Sequence, residues 1–191
     1  MKSFNDTLFF SLNSLAGENH FLDLFMILIA KFTPYAFISI LLYLWFTKKQ
    51  IEALYSGYAA TLGIIINQII GLFYFHSRPF MDHVGLTLLE HKAENSFPSD
   101  HTTFTLSIAL ILINFKNTKL LGIITFIFAI WCGIARIYCG VHYPLDIIGS
   151  IIVAIITITV IKLLSSKLNN LSILIITLYN NILGTINDGN N

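Results

Sequence analysis

A helix needs about 20 apolar residues to cross roughly 30 Å of hydrocarbon, and this chain offers that length several times over. The apolar runs lie at residues 24–46, 51–75, 101–115, 119–139 and 145–164, with a weaker run at 168–183. The expected fold is therefore an all-α membrane protein, a bundle of five or six transmembrane helices. Only 11% of the 191 residues are charged, against about 25% in a soluble domain, and the mean hydropathy is +0.76. A water-soluble globule is excluded. The formal net charge of +1 gives no electrostatic case for nucleic acid.

No internal repeat, linker or charge block divides the chain, so one domain over 1–191 is expected. Polar residues Asn5, Asp6, Ser11, Asn13 and Ser14 break the first 20 residues, which make a poor signal-peptide core, so no cleaved leader is expected. Leu8, Phe9, Leu12 and Leu15 recur at helical spacing, which fits a short helix lying in the membrane interface or simply covering the bundle. Residues 184–191 are polar and expected to fray. Cys132 and Cys139 lie about 10 Å apart along one helix, too far to pair.

Lysines orient the bundle. Lys48, Lys49, Lys116, Lys119, Lys162 and Lys167 all fall on one side of the spans, leaving only Lys92 between spans on the other. The positive-inside rule makes the lysine-rich side cytoplasmic. The connections at 76–100 and 136–144 then face outward. Five of the six histidines and both arginines lie in or beside these two connections. Charge is expensive near lipid, so this clustering marks a site.

Three strings carry the chemistry. In Phe97-Pro98-Ser99-Asp100-His101, Pro98 precedes an apolar helix and Ser99 suits its N-cap, so the unpaired N–H groups of the first turn can hold a phosphate. His101 stands in that turn as a candidate proton donor and acceptor. In the string from Ala135 to Asp146, Pro144 suits the first position of a helix. Asp146 can then reach back to one ring nitrogen of His142 and leave the other as a nucleophile. Arg136 brings a fork suited to phosphate oxygens. In His76-Ser77-Arg78-Pro79, Arg78 is expected at the outward end of the second span, which Pro79 terminates. Two guanidiniums, a helix N-terminus and two histidines at one depth are what phosphoryl transfer through a histidine requires.

These strings resemble the type 2 phosphatidic acid phosphatase superfamily, whose signature is K-x6-R-P, P-S-G-H and S-R-x5-H-x3-D. Arg78 and Pro79 fit the first block; Pro98, Ser99 and His101 the second; Arg136, His142 and Asp146 the third. Asp100 replaces the usual Gly and Ala135 the usual Ser, while Gly71 stands where the first block has Lys. Lys31 or His76 is a candidate to supply that missing cation, although Lys31 is more readily explained by a side chain snorkelling outward. The runs Arg78-Pro79-Phe80 and Glu94 to Thr103 resemble more narrowly the bacterial undecaprenyl-diphosphatase branch, associated with bacitracin resistance.

The resemblance implies a phosphatase of the bacterial cytoplasmic membrane, with its site extracytoplasmic, that removes the terminal phosphate of undecaprenyl diphosphate. His142 would attack, Asp146 orient it and His101 handle the proton, while Arg78, Arg136, Ser99 and the backbone at Asp100 hold oxygens. No metal or other cofactor is implied. The implied partners are a polyprenyl diphosphate and the bilayer, and no oligomeric state follows. His83, His91, Lys92 and Asn95 are candidates to hold the second phosphate. The same residues would equally serve a phosphatase for phosphatidylglycerol phosphate, phosphatidic acid or lipid A phosphate. A transporter is disfavoured because no polar stripe runs through the spans.

Overall fold

The computed structural model describes residues 4–188. The helices are α1 (Phe4–Asn13), α2 (His20–Phe46), α3 (Gln50–Phe73), α4 (Asp100–Asn114), α5 (Lys119–Tyr138), α6 (Pro144–Leu163) and α7 (Ser165–Asp188). Local chemistry places their ends. The Asn19 side chain accepts from the backbone N–H of Phe21 and Leu22 to start α2. Pro144 opens α6, where the backbone N–H it lacks would have had no helical partner. α7 stays helical past Gly184 to Asp188, where a frayed tail was expected; the first three residues and 189–191 of the two expected terminal segments lie outside the described residues.

Four helical segments are long and apolar enough to cross a membrane: α2, α3, α5 with the short turn before it, and α6. The all-helical bundle is as expected, but α4 is shorter than a span. Its 15 residues rise about 22 Å. Helices rather than lipid surround it: α4 packs against α2, α3, α5 and α6, and its Leu106, Ile108, Ala109 and Leu112 are buried. An enclosed helix need not match the hydrocarbon thickness. Around it, Phe25, Leu28 and Phe32 of α2, Ile127 of α5 and Ile152 and Ile155 of α6 stay exposed, the apolar exterior that a lipid-facing surface requires.

Polar residues do line up inside the spans, contrary to the sequence reading. Ser56 and Asn67 of α3, Thr103 and Ser107 of α4 and Thr157 of α6 are all buried. Thr103, Ser107 and Thr157 converge on Gly63 of α3, where a Cβ would come within 2.9 Å of the Thr103 methyl and 3.0 Å of Ser107 Oγ. Small residues here let the backbones approach, the usual packing device between membrane helices.

α1 packs on α5 and α6 and clamps the connections at 74–99 and 139–143. Asn13 Nδ2 donates to the carbonyls of Leu86 and Tyr138, and its Oδ1 accepts from Leu86 N–H. Because the helices alternate in direction, residues 74–99 and 139–143 share one end of the bundle, and Lys48, Lys49, Lys116, Lys119, Lys162 and Lys167 the other. A cysteine at the exposed Ala93 is expected to react with an impermeant thiol reagent in intact cells, since both native thiols are buried. Labelling only after the membrane is opened would reverse the orientation.

Candidate active site

α3 ends at Phe73, so Arg78 sits on the connecting loop and not at a helix end as expected. The loop grips it through its own carbonyls. Arg78 Nε donates to Glu94 O at 3.3 Å, and its two terminal nitrogens donate to Asn95 O at 3.1 Å and Val141 O at 3.0 Å. This guanidinium fastens the loop at 74–99 to the loop at 139–143, and Gly140, at φ +72, supplies the left-handed turn before Val141.

The same Arg78 nitrogen lies 3.0 Å from His142 Nε2. A guanidinium can only donate, so Nε2 must accept, and the imidazole proton belongs on Nδ1. There it meets Asp146 Oδ2 at 3.3 Å and Ser96 Oγ at 3.2 Å. Ser96 in turn donates to Asp146 Oδ2. Burial pushes the His142 imidazole below its ordinary pKa, although Asp146 opposes the shift. The ring is therefore neutral, with a fixed tautomer and its Nε2 lone pair directed at cations.

Arg136 NH2 stands 3.4 Å from the same Nε2. Arg136 is 3% exposed, its Nε has no hydrogen-bond partner, and no carboxylate pairs with it among the described residues. A buried, unneutralised guanidinium is costly unless an anion completes it. Arg136 also lines a cavity of about 460 Å³ with His101, His91, Lys31 and Tyr35. The anticipated His142, His101, Arg78, Arg136 and Asp146 therefore come together at one end of the bundle.

Other anticipated residues have different duties. Ser99 flanks α4 at the N-cap position without a side-chain capping bond; its Oγ accepts from Thr102 instead. The Asp100 carboxylate accepts from Asn67 and Gln68 of α3. Asn95 is a loop fastener, since its amide donates to Tyr74 O and Phe97 O and its oxygen accepts from His76 N–H. His76 turns Nδ1 to Asp146 Oδ1 at 3.0 Å, so its side chain is committed to the carboxylate and does not replace the cation missing at Gly71. Lys31 contributes to the cavity wall beside Arg136 and His101, and its Nζ lies 5.5 Å from the Phe32 ring centroid. Of the loop histidines, His91 reaches the cavity, its ring centroid 6.4 Å from that of His142. His83 and Lys92 are exposed. Ser96 was missed, although it lies within the run that carries the family resemblance.

Residues 52–170 match the PAP2 superfamily. The chain is 40% identical over 155 residues to undecaprenyl-diphosphatase BcrC of Bacillus subtilis (strain 168), covering 80% of this chain and 79% of that one. Its fold is similar to the crystal structure of Aquifex aeolicus LpxE, with a TM-score of 0.69 and 26% identity over 83% of this chain and 96% of that one. It is also similar to a transmembrane PAP2-type phosphatidylglycerolphosphate phosphatase from Bacillus subtilis, with a TM-score of 0.66 and 20% identity over 85% of each chain. With the arginines, histidines and Asp146 of the three sequence blocks gathered at one end of the bundle, the chain belongs to the PAP2 superfamily and is a multi-pass membrane lipid phosphatase.

Proposed function

We propose that this enzyme hydrolyses undecaprenyl diphosphate to undecaprenyl phosphate and inorganic phosphate at the outer face of the bacterial cytoplasmic membrane. The observation that carries the phosphoryl-transfer chemistry is the convergence of Arg78 and the unneutralised Arg136 on His142 Nε2. The substrate rests on the 40% identity to BcrC.

In the first step the Nε2 lone pair attacks the terminal phosphorus, and the bond from that phosphorus to the bridging oxygen breaks. His101 gives the departing lipid phosphate its proton. Arg78 and Arg136 transfer their N–H groups from the imidazole and the empty cavity to the phosphoryl oxygens, joined by the first-turn N–H groups of α4. Asp146 stabilises the positive ring that results. In the second step His101 takes a proton from water, the water oxygen attacks the phosphorus, and the P–N bond returns its electrons to Nε2. Ser96 and Asp146 hold the Nδ1 proton throughout.

Lys31 and the His91 ring extend the wall beyond Arg136, where the phosphate that stays on the lipid would lie. An adjoining cavity of about 300 Å³ shares Tyr35 and His101 with the first and is walled by Pro34, Ile38, Ile64 and Phe104. Its apolar walls between α2, α3 and α4 suit the first isoprene units of a tail that remains in lipid.

Ser96→Ala should lower the rate of phosphate release about tenfold while the protein stays folded, the low end of the usual effect of losing a group that orients a reactive one. An unchanged rate would remove Ser96 from the proposed mechanism. Across a substrate panel in one detergent, kcat/KM should be highest for undecaprenyl diphosphate, and Lys31→Met should lose more on it than on phosphatidic acid. A tenfold preference for phosphatidylglycerol phosphate or phosphatidic acid, about 1.4 kcal/mol in transition-state binding, would replace the assignment.

A further inference from the structure

The Asp146 carboxylate serves two imidazoles. Its Oδ2 accepts from His142, Ser96 and the backbone N–H of Tyr143, and its Oδ1 faces His76 Nδ1 at 3.0 Å. His142 is buried, but His76 is 26% exposed and so open to protons from solvent. The three signature blocks give no duty to this second ring.

The geometry points to His76 as a positioning residue: by occupying Oδ1 it fixes the rotation of Asp146, and its protonation state sets how much carboxylate charge reaches His142. The inference rests on His142 being the nucleophile. While His76 is neutral, its Nδ1–H makes a single hydrogen bond to Oδ1 and the full negative charge supports the ring that becomes positive during attack. Once His76 is protonated it forms an ion pair with Asp146, and that support falls.

The surroundings of His76 favour the proton. Its pKa is raised, first by the hydrogen bond to Asp146, against the opposing effect of burial, and further by the charges of Asp146 and Asp82. Asp82 approaches from the loop, accepting from the Tyr143 phenol and from Ser77. Tyr74, at the end of α3, stacks on the ring at 6.2 Å between centroids, and Tyr143 stands at 5.3 Å. From α6 comes Asp146, shared with His142. Because the folded value lies above the ordinary 6.5, activity should begin to fall on acidification as His76 gains its proton, above the pH at which a free histidine would.

The fold holds His76 by its backbone: its N–H donates to Asn95 Oδ1 and its carbonyl accepts from Ser96 N–H. A side-chain substitution therefore leaves the loop anchored. Two variants separate positioning from charge. His76→Ala removes both the donor and the titration, whereas His76→Asn places an amide N–H near the Nδ1 position and cannot take a proton.

The test is the pH profile of kcat and KM for wild type, His76→Ala and His76→Asn, assayed between about pH 4.5 and 8.5 with detergent-solubilised undecaprenyl diphosphate. His76→Ala should lose about tenfold in kcat at neutral pH with little change in KM, by analogy with outer groups that orient a reactive side chain. His76→Asn should recover part of that loss and move the acid limb to lower pH. A loss confined to KM would make His76 a substrate-phosphate ligand and overturn the inference. So would an acid limb that stays in place in His76→Asn. The wild-type rate tests the phosphatase reading separately from the change in profile.

Discussion

The Asp146 carboxylate, fully buried at the first turn of α6, is the constraint around which the site-bearing end of this bundle is arranged. An isolated charge in such a place would be prohibitively costly, and removing one partner of a buried charged network costs about 3–5 kcal/mol. The protein meets this demand with donors from several chain segments: His76 and Ser96 from the loop at 74–99, His142 and the Tyr143 N–H from the loop at 139–143. Satisfying one charge therefore joins the two loops and fixes the His142 imidazole, the proposed nucleophile. Stability and reactivity here depend on the same hydrogen bonds.

Arg136 is the complementary case. Asp146 has its full set of donors, whereas Arg136 is buried with Nε unpartnered. Arg78 is held between these extremes by three backbone carbonyls, with the Glu94 carboxylate 3.5 Å from the terminal nitrogen that also bonds Asn95 O. Orientation is therefore supplied by the protein, and the last of the charge neutralisation is left to the ligand. Preorganised donors of this kind need little rearrangement when charge develops in the transition state. Their position at the end of a bundle with an apolar exterior allows a lipid phosphate to react while its tail stays in hydrocarbon.

Much of this was legible in the sequence, because membrane helices announce themselves by length and the motif residues by spacing. The runs at 24–46, 119–139 and 145–164 lie close to α2, α5 and α6, and the four-residue interval from His142 to Asp146 correctly places both on one network. α4 was harder, since a short apolar run has the same composition whether lipid or protein surrounds it. The loop at 74–99 was harder still: it has no periodicity from which to infer where a side chain points. Asn95 read as a phosphate donor and is a fastener, while His76 read as a spare cation and is a partner of Asp146. Lys31 read as a snorkelling residue and lines the cavity, because the neighbours that define that cavity come from distant parts of the chain. Ser96 carried no signal of its own beyond membership of the family run.

The central claim is that His142 Nε2 bonds covalently to the transferred phosphoryl group. Rapid quenching of the enzyme with terminally labelled undecaprenyl diphosphate, followed by peptide mapping, tests it directly. The account predicts a labelled phosphoenzyme that is stable to base and labile to acid, formed and lost fast enough to match turnover, and located on His142. Turnover through water attack alone, with no label on the protein at any quench time, would contradict it, as would a label on any other residue.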